Sequence, residues 1–403
     1  MNTQIRGSFQ WMKSLNKSII LNKVRLEGPI SRAKIAKQTQ LTPPTVSNIV
    51  KELLESQLVI ESTQGESSGG RKPTMLEINA QNFYVIGLDV GPKFLRSILS
   101  DLNGTILSSD IVKIPEQVTI TKLVEMMKEA VHSITESNQD SKEKFIGIGI
   151  GMHGVVDVDK GISLYAPSLQ LRNISLKEIF EEEFNLLVKV ENDARALALG
   201  ESWFGNGNGT QNVITVNVGR GIGAGIVIDG KLFRGKNQIA GEVGHMTVDI
   251  AGPQCDCGNH GCLQTLAAGP ALVKRALRGM SMGTSTTIPD FIENIDLEEL
   301  SGNDIFQAAK AGDIFSKDIL YETGVYLGIG LTNIIHTLNP DRIVVGGGVS
   351  NAGDFILNPI KETIQKRSLT KEAKETEIAL SMLGDYGTAL GAVSLVLVEL
   401  FTK

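Results

Sequence analysis

All three cysteines of this 403-residue chain fall within eight consecutive positions, as Cys255, Cys257 and Cys262. One of only five histidines, His245, precedes them in the glycine-rich segment 241–262. Three thiols and one imidazole make the closed tetrahedral ligand set that structural zinc prefers, and it leaves no position for an activated water. We therefore predict that these four residues hold a structural Zn²⁺, which requires the segment to fold as a closed loop.

Other interpretations of this segment are a redox pair or a group of inert thiols. A redox pair is more often spaced C-x-x-C, and inert thiols would not be expected to cluster with a histidine. His260 is an alternative fourth ligand, although it lies between Cys257 and Cys262, where the loop must turn. Glu242 stands three residues before His245, so it is either an ordinary solvated carboxylate or a ligand-binding partner of the oriented imidazole.

Length and composition indicate two or three domains with sizeable cores, since 41% of the residues are hydrophobic. The sequence has no uninterrupted apolar run of membrane-spanning length and no signal-peptide pattern at its start, so we expect a soluble, cytoplasmic protein without a membrane partner. Grouped cysteines also indicate a reducing compartment. Residues 1–80 hold 11 Lys/Arg against 6 Asp/Glu, whereas the rest hold 28 against 39, which suggests a basic nucleic-acid-binding module on an acidic body.

Three short helices are predicted near the N-terminus. Apolar residues at helical spacing end at Gly28-Pro29, Ser31 then caps a second helix, and Thr42 caps a third whose first turn tolerates Pro43 and Pro44. This order is typical of a helix-turn-helix, with the polar face of the third helix placed in the major groove. A small three-helix packing module with a solvated polar face is the alternative.

Two predicted strands follow, at residues 58–62 and 74–78, and the connecting segment contains a basic tip. A hairpin of this kind is the wing of a winged helix-turn-helix, although a flexible linker would have a similar composition. The wing could follow the phosphate backbone or insert Arg71 into a narrow minor groove. The predicted DNA-binding residues are Ser31, Arg32, Thr42, Thr45, Ser47, Asn48, Lys51, Arg71 and Lys72.

From residue 83 onward the pattern changes to strands and helices in the order βββαβαβ, which is typical of an α/β domain. A diverged form of the order begins again near residue 212. The last helix, at residues 386–400, is apolar enough to pack back on the first of these lobes. We expect a two-lobed body with a cleft between the lobes.

Several motifs of the body together resemble those of the ROK family, which contains sugar kinases and sugar-responsive repressors. The resemblance covers nearly all of the body, and its N-terminal module is similar to that of the family's repressor branch, especially its xylose-responsive members. The motifs are Asp89-Val-Gly91, Gly151-Met-His-Gly154, Glu191-Asn192-Asp193-Ala194, the glycine-rich loop 219–225, Glu242-Val-Gly-His245, the cysteine cluster and Gly346 to Gly348.

The resemblance implies a fold and a set of domains. The fold is a winged helix-turn-helix followed by a two-lobed, actin-like ATPase (ribonuclease H-like) sugar-kinase fold. The domains are residues 1–80 for DNA binding, 81–191 with 385–403 for the first lobe, and 192–384 for the second lobe with its zinc site. The sugar-binding residues implied are Gly154, Asn192, Asp193, Glu242, His245 and Gln264.

Some of these positions depart from the family pattern. Gln264 stands where a glutamate usually meets the sugar, and His153 stands where proline is usual. Asn192 and Asp193 have an alternative role as the N-cap of the following helix, and Gln264 has one as a helix-surface residue. Because an amide donates as well as accepts hydrogen bonds, the Gln264 exchange bears on which sugar is preferred.

The phosphate loops depart further from the family's kinases. Pro92 lacks a backbone donor, Lys93 replaces a small hydroxyl residue, and Arg220 stands in the second loop where a small hydroxyl residue is usual. These features predict a degenerate ATP site and a protein that is not an enzyme. The alternative is an active ATP-dependent, hexokinase- or glucokinase-like kinase with an accessory DNA-binding domain, in which Asp193 would be the general base.

The combined prediction is a sugar-responsive repressor of a carbohydrate-utilisation operon. Its partners would be double-stranded operator DNA and a sugar effector, with xylose the first candidate, and it would act as a homodimer or homotetramer. A repressor controlled by a partner protein instead of a sugar is a further alternative.

Overall fold

The computed structural model describes residues 2–64, 72–138, 143–292 and 300–402. The chain divides into two compact units, Met1–Glu191 with Ala392–Lys403, and Asn192–Gly391. The second unit begins at Asn192, and the chain returns to the first unit at Ala392.

The N-terminal module consists of three helices and a small antiparallel sheet. The helices are α1 (Asn2–Glu27), α2 (Arg32–Thr39) and α3 (Pro43–Glu55), and the strands are β1 (Ile30–Ser31), β2 (Val59–Gln64) and β3 (Thr74–Ile78). The strand order is β1-β3-β2, so β2 and β3 form the predicted hairpin. Side chains at helical spacing on all three helices form the buried core of the module, including Ile20, Val24, Ile35, Val46, Ile49 and Leu53.

Both predicted N-caps of the module are present. The Ser31 hydroxyl accepts a hydrogen bond from the Lys34 N–H at 3.2 Å, and the Thr42 hydroxyl accepts one from the Thr45 N–H at 3.4 Å. Such caps satisfy amide groups that have no partner inside the helix. They set the starts of α2 and α3 and thereby the turn between them.

The first α/β body has a five-stranded sheet of order β11-β7-β4-β5-β6. Its elements are β4 (Tyr84–Val90), β5 (Phe94–Asp101), β6 (Ile106–Lys113), α4 (Ile120–Glu136), β7 (Phe145–Met152), α5 (Leu176–Phe184) and β11 (Leu187–Asn192). Strands β4, β5 and β6 pair antiparallel, whereas β4 and β7 pair parallel. The predicted βββαβαβ order is confirmed for these elements.

A small antiparallel sheet between β7 and α5 was missed by the prediction. It consists of β8 (Val155–Asp157), β9 (Ile162–Ala166) and β10 (Leu171–Ile174), in the order β10-β9-β8. These strands have three to five residues each, which is too short for an alternating pattern to be recognised in the sequence.

The second unit repeats the design with a sheet of order β14-β13-β12-β15-β16. The strands are β12 (Val213–Val218), β13 (Ile222–Ile228), β14 (Lys231–Phe233), β15 (Arg342–Gly346) and β16 (Glu377–Leu380). The helices are α6 (Asp193–Phe204), α7 (Leu263–Ala267), α8 (Gly269–Ser281), α9 (Gly302–Ala311), α10 (Ile314–Leu338), α11 (Asp354–Arg367) and α12 (Lys371–Lys374). Three antiparallel strands followed by a parallel one occur in both sheets, as expected for a diverged duplication.

The last helix, α13 (Gly387–Thr402), begins in the second unit and ends in the first. In the first unit it lies so close to β7 that a Cβ atom on Gly149 would come within 1.8 Å of the Ala392 carbonyl oxygen, so only glycine fits there. From Ala392 onward this helix belongs to the first unit. The segment Gly384–Phe401 has the length and hydropathy of a membrane span, but 61% of it is buried inside the protein, as in a core helix.

Candidate functional site

His245, Cys255, Cys257 and Cys262 come together in the second unit, with their ligand atoms all within 4.8 Å of one another. The Cys255 Sγ atom lies 3.7 Å from His245 Nδ1, and the Cys257 and Cys262 Sγ atoms lie 3.7 Å apart. Cys255 and Cys262 are buried, whereas Cys257 is exposed. One imidazole and three thiols in this arrangement could hold a metal ion.

Short backbone pairings close the loop that carries these residues. Isolated bridges join Thr247 to Cys262 and Gln254 to His260. At the crossing point Gly261 has φ +63°, and a Cβ atom there would lie 1.4 Å from the Asp249 carbonyl oxygen. Because no side chain can occupy that position, Gly261 allows the two arms of the loop to meet and brings Cys262 back to the other thiols.

The alternative ligand His260 is not one of the clustered groups. Its Nδ1 atom lies 3.4 Å from the Gly252 carbonyl oxygen, and its backbone pairs with Gln254. The four clustered residues are therefore the geometrically favoured ligand set.

The surroundings of the thiols shift their pKa values in opposite directions. Burial raises the pKa of Cys262 to about 12, while the Asn259 backbone N–H lowers the pKa of Cys257. A metal binds the thiolate form, so it must displace a proton from Cys262. Metal binding at this cluster would thus release protons.

The two nitrogens of His245 face different groups. Nδ1 lies toward Cys255, whereas Nε2 lies 4.0 Å from the Glu242 Oε2 atom. A metal on Nδ1 would leave the Nε2 N–H directed toward this carboxylate. The Glu242 side chain is 58% exposed, so it can meet a ligand from solvent.

Asn192 and Asp193 lie where β11 joins α6. The Asn192 Oδ1 atom accepts hydrogen bonds from the N–H groups of Ala194 and Arg195 at 3.1 and 3.2 Å, and its Nδ2 donates to Asp193 Oδ1 at 2.9 Å. Asn192 is therefore the N-cap of α6, the alternative role anticipated for it. Its contact with a sugar remains a prediction, and any such contact would have to be compatible with the cap.

The other two predicted sugar-binding residues lie in different surroundings. Gly154 follows β7 in the first unit, next to His153, whose buried ring places Nδ1 2.9 Å from the Val90 carbonyl oxygen. Gln264 lies on α7, and its Nε2 atom is 3.3 Å from Cys255 Sγ. The Gln264 side chain thus faces the cluster of His245 and the three cysteines.

Sequence reasoning missed an ion pair between the two strands that flank the first phosphate-type loop. The Arg96 Nη1 atom lies 3.2 Å from Asp89 Oδ2. The Gly91 N–H donates to the Phe94 carbonyl oxygen at 3.0 Å, so this amide closes the β4–β5 turn. An arginine seven positions after the aspartate gives no signal until the strand register places the two residues opposite each other.

The predicted DNA-binding residues form the polar face of α3 and its surroundings. Exposed members are Thr42, Ser47, Asn48, Lys51 and Lys72, while Ser31, Arg32 and Thr45 are half-buried. Arg32 forms an ion pair with Glu61 of the wing, with an Nη2 to Oε1 distance of 2.7 Å. Arg71 lies outside the described residues.

Comparison with known proteins shows the family to which this chain belongs. The profile of the ROK family matches residues 85–399. The chain belongs to the ROK family. Among ROK relatives, the xylose repressor of Bacillus subtilis strain 168 is 36% identical over 390 residues, which cover 96% of each chain. The crystal structure of a ROK family transcriptional regulator, a homolog of the E. coli MLC protein, superposes with a TM-score of 0.84 at 26% identity and covers 97% of this chain and 98% of its own.

ROK kinases match a smaller part of the chain. A ROK glucokinase from Streptomyces griseus, solved with glucose and AMPPNP, has a TM-score of 0.69 and 32% identity. This match covers 98% of the glucokinase but 77% of the present chain, as expected when the body is shared and the N-terminal module is not. The predicted fold, a winged helix-turn-helix on a sugar-kinase-like body, is confirmed.

Proposed function

We propose that this ROK protein is a sugar-responsive transcriptional repressor of a carbohydrate-utilisation operon, acting in the cytoplasm. The observation that carries the proposal is the winged helix-turn-helix module joined to a sugar-kinase-like body, in a chain similar to a named xylose repressor over nearly its whole length. The module supplies a way to bind DNA, and the body supplies a way to bind a sugar.

DNA is bound through α3 in the major groove, with the wing on the backbone or in the minor groove. The exposed side chains of Ser47, Asn48 and Lys51 support this role, since they lie on one face of a helix whose other face is buried. Thr42, Thr45, Ser31, Arg32 and Lys72 are the further proposed DNA contacts, together with Arg71, which lies outside the described residues. The protein binds as a homodimer or homotetramer, with recognition helices about 34 Å apart on a pseudo-palindromic operator.

The effector is a sugar, with xylose the first to test because of the similar repressor. Glu242 and His245 form the centre of its site, and Asn192, Asp193 and Gln264 are the other proposed contacts in the same unit. The exposed Glu242 carboxylate and the imidazole beside it support this assignment, because a carboxylate accepts and an N–H donates hydrogen bonds to hydroxyl groups. A hundredfold change in operator affinity requires about 2.7 kcal/mol of coupling.

The metal is a structural Zn²⁺ held by His245, Cys255, Cys257 and Cys262. A four-ligand set of nitrogen and sulfur suits zinc and leaves no open position, so the ion organises the loop and does not activate water. In this role it holds the His245 imidazole beside Glu242.

A sugar kinase with an accessory DNA-binding module is the competing function, supported by similarity to the ROK glucokinase and by Asp193 at the start of α6. Three features weigh against it. Asp89 is paired with Arg96 instead of being available to a metal-bound nucleotide, Pro92 has no amide to donate to a phosphate, and Arg220 occupies the second loop.

The decisive experiment is fluorescence anisotropy of labelled upstream DNA at fixed salt, titrated with protein and then with free and phosphorylated sugars. Salt is held constant because phosphate contacts make DNA affinity depend steeply on ionic strength. Specific binding that one sugar shifts is the expected result. Absence of specific binding, together with sugar-dependent release of ADP that Asp193→Asn abolishes, would replace the repressor by the kinase.

A further inference from the structure

Gln264 stands out among the proposed sugar contacts because its side chain turns toward sulfur. The Nε2 atom lies 3.3 Å from the Cys255 Sγ atom, within the range of an N–H···S hydrogen bond. Cys255 is buried with 4% of its surface exposed, so the amide reaches the thiol in a largely dry environment. We propose that Gln264 is a positioning residue that donates a hydrogen bond to the metal-bound thiolate of Cys255. This inference rests on the proposed metal site.

The chemistry of the two partners sets the orientation of the amide. A metal-bound thiolate is an acceptor, so it accepts a hydrogen bond from the NH₂ group and would repel the carbonyl oxygen. The carbonyl oxygen lies on the opposite side, where Cβ atoms built on Gly221 and Gly244 would come within 3.3 and 3.1 Å of it. Gln264 therefore bonds to the cysteine loop and lies beside two further segments, namely the glycine-rich loop and the turn between Glu242 and His245.

At this position a glutamine suits the neighbouring sulfur better than a glutamate would. An ionised glutamate has no proton to donate, and its charge would be repelled by the thiolate. Such a side chain would turn away from the sulfur, where it could accept a hydrogen bond from a sugar hydroxyl. Glutamine can instead keep its hydrogen bond to the sulfur and connect the metal site with the turn that carries Glu242.

The test uses the full-length protein loaded with Co²⁺, which reports on its thiolate ligands through their charge-transfer absorption. A hydrogen bond stabilises the sulfur electrons, so its loss should move this band to longer wavelength. We expect the shift in both Gln264→Leu and Gln264→Glu, the second being isosteric with the native residue. Competition with a chromophoric chelator should show metal affinity lowered about 10- to 100-fold in both variants.

The matched control is Thr265→Val. Thr265 is the next residue on α7, but its hydroxyl donates to the Cys262 carbonyl oxygen at 2.7 Å and not to sulfur. Its band should stay at the wild-type position. An unshifted band in both Gln264 variants, with the wild-type band present, would overturn this inference alone. Absence of any thiolate band in the wild type would overturn the metal site as well, and circular dichroism separates both results from misfolding.

Discussion

Asp89 and Arg96 occupy directly opposing positions on β4 and β5, and the Arg96 Nη1 atom lies 3.2 Å from the Asp89 Oδ2 atom. The Asp89 side chain is 9% exposed and the Arg96 side chain 21% exposed, so solvent does little to screen the pair. An arginine therefore neutralises the acidic residue of the first phosphate-type loop from within the sheet. The arrangement suits a protein that keeps the family fold without the nucleotide chemistry.

Removing one member of this pair should destabilise the first unit. Arg96→Gln is expected to lower the free energy of unfolding by about 1–3 kcal/mol, because it leaves a mostly buried carboxylate without its cation. The double variant with Asp89→Asn should lose less than the sum of the two single variants. Urea unfolding monitored by circular dichroism measures both values, and strict additivity would show that the two groups do not interact.

Metal binding should depend steeply on pH. Since burial raises the pKa of Cys262 to about 12, the free thiol is protonated at neutral pH and zinc must displace its proton. We expect zinc addition to release protons. We also expect the zinc affinity to fall about tenfold for each unit by which the pH is lowered, for each thiol proton displaced. Indicator-dye titration measures the release. Cys262→Ser should abolish tight zinc binding, whereas His260→Ala should retain it. Loss of tight zinc binding in His260→Ala would instead make His260 a ligand.

Glu242 should be needed for the sugar response and not for DNA binding. In Glu242→Gln the carboxylate beside His245 Nε2 becomes an amide, which donates as well as accepts hydrogen bonds. Operator affinity without sugar should equal that of the wild type, while the sugar concentration for half-release rises at least tenfold, about 1.4 kcal/mol. Asp256→Asn, an exposed carboxylate in the same loop, is the control and should respond normally.

Two residues of α3 should affect DNA binding in different ways. Asn48→Ala should cost about 1–3 kcal/mol on the specific operator and little on unrelated DNA, as expected for a base contact. Lys51→Ala should weaken binding to the operator and to unrelated DNA alike. It should also lower the slope of log affinity against log salt concentration by about one, as expected for a phosphate contact. Anisotropy at several salt concentrations separates the two. Lys361→Ala, an exposed lysine on α11, should change neither.

A buried carboxyl group should make stability depend on pH. Glu201 is fully buried, its Oε1 atom lies 2.5 Å from the Ser381 hydroxyl, and its Oε2 accepts the Asn206 N–H at 2.8 Å. Burial raises the pKa of Glu201 above its ordinary value of 4.5. The folded state therefore binds this proton more tightly than the unfolded chain, so its stabilising contribution is complete below the ordinary value and is lost as pH rises through the raised one.

Glu201→Gln tests this directly, because the amide keeps an acceptor for the Asn206 N–H and offers an NH₂ group that can donate to the Ser381 oxygen. Its stability should fall less than that of the wild type as the pH is raised from below 4.5 to neutrality. Urea unfolding across this range gives the comparison. Glu178→Gln on α5, in the first unit, is the control, and an equal slope for Glu201→Gln and wild type would remove Glu201 as the cause.

Local patterns were sufficient for much of the fold. Ser31 and Thr42 cap α2 and α3 where the capping residues stand in the sequence, and the strand over Thr74–Ile78 begins and ends where its alternation does. These features depend on residues close together in the chain. The short strands β8, β9 and β10 were missed because three to five residues carry too little pattern.

The sequence by itself determined the order of the elements, the winged module and the four residues that could hold a metal, because caps, periodicity and ligand spacing are local or compositional signals. Tertiary structure decided which atoms face one another. Only the β4–β5 register pairs Asp89 with Arg96, only the folded loop turns Gln264 toward Cys255, and only the β11–α6 junction makes Asn192 a cap. Such contacts depend on strand register, loop closure and side-chain direction, which arise when distant segments pack together.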